Sequence, residues 1–142
     1  MSAKPAEALL VRYGEYDIAM PVWCTPFGVQ LWADEGFELL QRTEPDASVA
    51  RALTQALSRY RSLEKNPERR SSWTTNLRSA LGGISDATLR RKASVVRVVS
   101  EQDGDRYTIA RQGRDGSDVD AVVVDAPHLG EQVRALLTTS RS

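Results

Sequence analysis

The sequence predicts an α+β fold: a small N-terminal antiparallel sheet, a central three-helix segment with helix-turn-helix character, and a C-terminal β-hairpin, strand and helix. Three observations carry this expectation. Apolar residues alternate with a period of two toward both ends of the chain, they recur every three or four residues in the middle, and Gly, Pro and Asn/Asp turn signals separate the segments. At 142 residues the chain reads as one domain, 1–142, long enough to bury roughly two-thirds of the surface its unfolded form exposes. No disulfide or metal staple is needed for such a core.

Residues 1–44 hold the first sheet. In ALLVRY the side chains of Leu9, Val11 and Tyr13 share a face, and in YDIAMPV those of Tyr16, Ile18, Met20 and Val22 do, with Gly14 and Glu15 between the two runs. That is a hairpin pattern. Pro21 and Pro26 lack a ladder N–H, so the second strand is expected to end near Trp23 or to lie at an edge, before FGVQLWA starts a third.

Residues 45–93 are expected to be helical. Asp46 is placed to cap a helix whose Val49, Leu53, Ala56, Leu57, Tyr60 and Leu63 form one stripe, with Arg51, Arg59, Arg61 and Lys65 elsewhere and Asn66-Pro67 ending it. A second helix begins near Ser71, uses Trp73, Leu77, Ala80 and Leu81, and stops at Gly82-Gly83, where the absence of a Cβ permits a left-handed turn. Ser85 caps a third, which runs to Lys92 or Ala93. In 94–142, SVVRVVSEQ and DRYTIARQ flank an Asp103-Gly104 turn, and VDAVVVD reads as a short buried strand. Pro127 then opens a helix that aligns Leu129, Val133, Leu136 and Leu137.

Net charge is zero, but the charges are segregated. Residues 1–50 hold three Lys/Arg against eight Asp/Glu, residues 51–97 eleven against three, and residues 98–142 five against eight. A basic block between acidic flanks is a statement about partners, because a positive face concentrates polyanions. No run approaches the roughly 18 apolar residues of a membrane span, and the first residues lack the apolar core of a signal peptide, so the cytoplasm is the expected location and no membrane partner is expected. Cys24 is the sole cysteine and is expected to pack rather than react.

The stretch GISDATLRR resembles the turn and recognition helix of bacterial helix-turn-helix regulators, possibly winged, over residues 71–93. Gly83 would enter the turn, Ile84 would plug the core, Ser85 would cap, and Thr88, Leu89 and Arg91 would follow as the reading run. The resemblance implies a DNA-binding regulatory module with double-stranded DNA as partner, acting as a dimer or with a larger partner. Its contacts would be Arg69, Arg70, Arg78, Ser85, Thr88, Arg90, Arg91 and Lys92. The hairpin that follows stands where a winged variant has its wing.

A second reading has equal standing. The aromatic residues Trp23, Phe27 and Trp32, with the opposed charge patches, suit a protein-interaction module: an assembly subunit, an adaptor or an antagonist. Exposure of those aromatics would favour it, and their burial would return attention to the basic helices. Enzymatic chemistry is not expected. His128 is the sole histidine and has no nucleophile beside it in sequence, Asp115, Asp118 and Asp120 lack a calcium-loop pattern, and no phosphate-cradling loop occurs. No cofactor and no metal are expected.

Overall fold

The computed structural model describes residues 5–28, 30–33, 36–65, 67, 74–101, 105–113 and 118–138. The chain opens with β1 (Glu7–Tyr13) and β2 (Tyr16–Cys24), joined at Gly14, whose φ of +57° is the left-handed turn a hairpin of this kind asks for. Next come β3 (Gln30–Trp32), β4 (Glu38–Gln41), α1 (Asp46–Ser58) and the two-residue β5 (Arg61–Ser62). Two short helices, α2 (Thr75–Ala80) and α3 (Asp86–Lys92), lead into β6 (Ser94–Ser100), β7 (Arg106–Gln112) and β8 (Asp118–Asp125). A 3-10 turn, Ala126–His128, enters α4 (Leu129–Leu137).

All eight strands join one sheet, ordered β3-β2-β1-β6-β7-β8, with β4 and β5 also on β2. The N- and C-terminal strands are thus continuous with each other, because β1 pairs with β6 from Glu7↔Val99 to Arg12↔Ser94. Every pairing is antiparallel except β2 with β5. Alternation along β1 sends Ala8 and Leu10 to one face and Leu9 and Val11 to the other, and each face has its own core. On the first, α1 and α4 lay Val49, Leu53, Leu129 and Val133 over Leu10, Val96, Val98 and Ile109. On the second, Leu77 of α2 and Leu89 of α3 meet Leu9, Val11, Ile18, Met20 and Trp32. Each such fully buried aliphatic side chain stabilises the fold by roughly 1.5–3 kcal/mol relative to exposure.

The sheet therefore lies between α1 and the α2–α3 pair, and the expected three-helix centre is divided between two faces. The helical stripe of α1 also ends sooner than its periodicity predicts. Tyr60 and Leu63 continue the spacing, yet the helix stops at Ser58, because Arg61–Ser62 pairs in parallel with Trp23–Cys24 and Leu63 N–H donates to the Cys24 carbonyl at 2.8 Å. A strand partner captures the chain. Asp46 does not cap α1 through its side chain; it lies in the first turn and accepts from Arg134 at 2.9 Å, tying α1 to α4.

One further strand expectation is met and another is corrected. Strand β2 runs through Pro21 and ends at Cys24, one residue past Trp23, as expected. The Pro21 carbonyl accepts from Ala33 N–H at 2.9 Å on the side away from β1, so its nitrogen faces that side as well, in the gap between the β4 pairing at Tyr16–Ala19 and the β3 pairing at Val22–Cys24. No ladder bond is lost there. Strand β8 is not buried: it forms the far edge of the sheet, with Val122 44% and Val123 60% exposed. Its edge is disrupted by a register shift opposite Ile109–Arg111 and by Asp120 at φ +57°, and acidic residues stand along it, features that discourage pairing with a second sheet. The turn at Asp103-Gly104 lies outside the described residues. No helix among them is long and apolar enough to cross a membrane.

Candidate functional site

The sequence singles out two regions, the basic α2–α3 segment and the aromatic end of β2. In the first, the capping pattern is as expected: Ser85 Oγ accepts from Thr88 N–H at 3.1 Å, and Gly82 and Gly83 turn the chain at φ +96° and +84°. The side chains assigned to DNA are largely engaged at home. Arg78 donates to Thr74 Oγ1 at 3.1 Å and to the Ile84 carbonyl at 3.4 Å, bracing one helix on the turn into the next. Thr74, fully buried, donates to Asp86 at 2.6 Å. The Arg90 guanidinium lies 4.1 Å from the centre of the Trp32 ring and 3.7 Å from Asp86. Ser85 Oγ donates to Thr88 Oγ1 at 2.9 Å. Arg91 and Lys92 are exposed in the last turn of α3, where cations complement the helix dipole. Asp86 occupies the first turn, the end that would approach phosphate. Arg69, Arg70 and Trp73 lie outside the described residues.

In the second region the three aromatics separate. Trp32 is buried at 5% exposure under Arg90, Trp23 is half-buried, and Phe27 is 82% exposed. Phe27 is held out by a tight turn in which Gly28 N–H donates to the Thr25 carbonyl at 2.9 Å, with Gly28 at φ +82°. Pro26 fixes one dihedral of the same turn. Next to this end of β2 the chain leaving α1 passes through Arg59, Tyr60 and Arg61, and a pocket of about 390 Å³ opens between them and Trp23, Pro21 and Gly36. Arg61 lies over the Trp23 ring at 5.4 Å. A Cβ on Gly36 would fall 2.7 Å from an Arg59 guanidinium nitrogen, so the missing side chain is what lets Arg59 lie along the wall. The sequence puts Arg59 and Arg61 off the apolar stripe of a longer helix and gives Gly36 no role. The turn from helix to strand after Ser58 brings them together, and only the pairing of β5 with β2 could have signalled it.

Behind the pocket a polar group stands on the second face of the sheet. Arg97 donates to Glu7 at 2.6 Å and to Asp118 at 2.8 Å. Burial works against its charge, but the two carboxylates outweigh burial and hold its pKa above the ordinary arginine value. Tyr60 is pushed up chiefly by burial, then by the neighbouring Cys24 and Glu7. Gln112 of β7 reaches Gln30 of β3 at 3.3 Å although β2, β1 and β6 lie between those strands, so the sheet curls toward this face. Cys24 is half-buried, with its thiol 3.6 Å from the Thr25 carbonyl. His128 is exposed, Asp118 and Asp120 pair with Arg97 and Arg111, and Asp115 lies outside the described residues. No cluster of three metal-ligating side chains occurs among the described residues.

This arrangement, a curled antiparallel sheet with a helix pair on each face, is shared with solved proteins. A protein of unknown function from Neisseria meningitidis superposes with a TM-score of 0.69 at 14% identity, covering 96% of this chain and 93% of its own. A chain of the CdiA-CT/CdiI toxin and immunity complex from Yersinia pseudotuberculosis superposes with a TM-score of 0.67, also at 14% identity, covering 96% and 97%. Identity this low establishes a common fold and nothing more. No protein-family model matches the chain, and no curated protein does.

Proposed function

We propose that this chain is a non-catalytic protein-binding module of the immunity type, which blocks a toxin-like partner protein in the cytoplasm by forming a stoichiometric complex with it. The observation that carries the reading is Phe27, 82% exposed on the hydrogen-bonded turn that follows β2, the strand whose Pro21 and Trp23 line a pocket with Arg59 and Arg61. Large aromatic and arginine side chains held rigidly at a surface are the residues that dominate protein interfaces, since little entropy is lost when a partner covers them. The neighbour in the CdiA-CT/CdiI toxin and immunity complex shares the fold over almost the whole chain, and that protein works within a protein–protein assembly. The duplex-DNA reading receives less support, because Arg78 and Arg90 are occupied by Thr74, Ile84, Trp32 and Asp86.

A growth-rescue assay tests the proposal. Cells expressing a panel of bacterial toxin domains are supplied with this chain, or with its Phe27→Asp variant. Protection against one toxin, lost in the variant while its melting temperature holds, is the expected outcome. Absence of protection, together with salt-sensitive binding of a mixed-sequence duplex that shallows when Arg91 and Lys92 are replaced, would return the function to DNA.

A further inference from the structure

We infer that the pocket at the end of β2 receives a carboxylate from an acidic segment of the protein partner, held between Arg59 and Arg61 while Phe27 packs against the adjoining residue; the inference rests on the protein-binding reading above. Elsewhere among the described residues most arginines are matched to carboxylates, while Arg42 and Arg78 donate to backbone carbonyl or hydroxyl oxygens. Arg12, Arg51, Arg97, Arg106, Arg111 and Arg134 each reach one. Arg59 and Arg61 have no carboxylate partner among the described residues, yet both line the same concavity. The chain itself shows what two such groups accept, for Asp17 is held by Arg12 at 2.7 Å and Arg134 at 3.3 Å.

The site is organised before any partner arrives. Arg61 lies over the Trp23 ring at 5.4 Å, and the flat wall at Gly36 gives Arg59 a bed. A planar fork held this way loses little freedom on forming a bidentate, charge-assisted pair. The shape selects a side chain rather than a nucleic-acid backbone. At about 390 Å³ the pocket is at the small end of ligand sites, and Pro21, Ala33 and Trp23 give it apolar walls. An acidic residue flanked by an apolar one satisfies both the arginines and the exposed Phe27, whereas a duplex presents a convex, uniformly charged ridge.

The test has two arms. In the first, the full chain labelled with nitrogen-15 is titrated with a blocked hexapeptide of alternating Glu and Val, its Gln counterpart, and inorganic tripolyphosphate. The Trp23 indole and the Arg59 and Arg61 side-chain N–H resonances report. The Glu peptide is expected to shift them and the Gln peptide to leave them in place, with Arg59→Ala/Arg61→Ala abolishing the response. Gly36→Ala, which displaces Arg59 without removing charge, should weaken it by at least about threefold. An equal response to tripolyphosphate, shifts centred on α3, no response at millimolar peptide, or binding that appears only in Asp34→Asn/Glu35→Gln would overturn the inference; the last would make the acidic pair that precedes Gly36 in the sequence the natural occupant. In the second arm, a toxin recovered by growth rescue is titrated against the double arginine variant, where affinity should fall by at least about tenfold. Undiminished affinity there would refute the pocket while leaving the protein-binding function standing. Peptide binding without any toxin rescued would refute the function while leaving the pocket.

Discussion

Among the described residues two pairs of arginines converge, and one of the two converges on a carboxylate of its own chain. Arg12 and Arg134 meet at Asp17, which is fully buried, and Arg134 goes on to Asp46. The network ties the first hairpin, the start of α1 and the last helix into one unit. Arg59 and Arg61 share a pocket wall and are exposed. The same side chain thus serves architecture in one place and waits for an outside group in the other. Burial decides which: a guanidinium removed from water must be matched within the fold, while an exposed one keeps its hydration until a partner displaces it.

Breaking the first pair should have the largest effect. Asp17→Ala removes the buried carboxylate that Arg12 and Arg134 share, leaving Arg12 without it and Arg134 with Asp46 alone, and is expected to cost about 3–5 kcal/mol of stability, read as a shift in the urea midpoint. Arg59→Ala/Arg61→Ala should stay within about 0.5 kcal/mol of wild type, as exposed substitutions do. A comparable loss in both variants would erase the contrast and make all four arginines structural. Next in size is Gly130→Ala. At the start of α4 a Cβ would land on the Asp46 carbonyl oxygen, and backbone cannot step aside as a side chain can. A loss of about 1–3 kcal/mol or more follows from overpacking, measured by the same melt. Gly36→Ala is the matching control on the other pair, since only the flexible end of Arg59 has to move.

How far the sequence foretold this layout depends on the range of the forces involved. Local signals were readable. The β1–β2 hairpin, the Ser85 cap, the two left-handed glycines, the β6–β7 pair and the Leu129, Val133 and Leu137 stripe are each set within a few residues by turn chemistry or periodicity. What could not be read was which face or edge each element would take. VDAVVVD has the composition of a buried strand, and its exposure follows only from its being last in the sheet order. The three helices look consecutive, but β1 and β2 separate the first from the others. The candidate site was half legible. Trp23 and Phe27 stood out as aromatics, while Arg59, Arg61 and Gly36 became neighbours through a two-residue parallel pairing that leaves no periodic trace.

A smaller effect is expected at the edge of the contrast, where Arg90 lies over Trp32 and beside Asp86. Arg90→Ala should lower stability by about 0.5–1 kcal/mol through the lost cation–ring contact. Arg91→Ala should be nearly neutral. If Arg90→Ala instead leaves stability unchanged while weakening duplex binding, the arginine belongs to a ligand and not to the fold.

The smallest expected effect belongs to Tyr60, which stands between the two pocket arginines in sequence but packs with the core of the opposite face. Burial, with Cys24 and Glu7 beside it, raises its pKa above the ordinary phenol value of 10.0. The folded state therefore favours the neutral ring. Its contribution to stability is fully present below the unfolded value near 10 and declines as pH rises from there through the folded value, because the unfolded chain releases that proton first. Tyr60→Phe removes the group, so the difference in unfolding free energy between wild type and variant should be flat below about pH 9 and should fall, against wild type, above about pH 10. The tyrosinate absorbance supplies an independent reading: a component that ionises above the ordinary phenol value should be missing from the variant's titration. A titration unchanged by Tyr60→Phe at its upper end would mean that water reaches the ring, and that the wall separating the arginine pocket from the Arg97–Glu7 pair is more open than its packing implies.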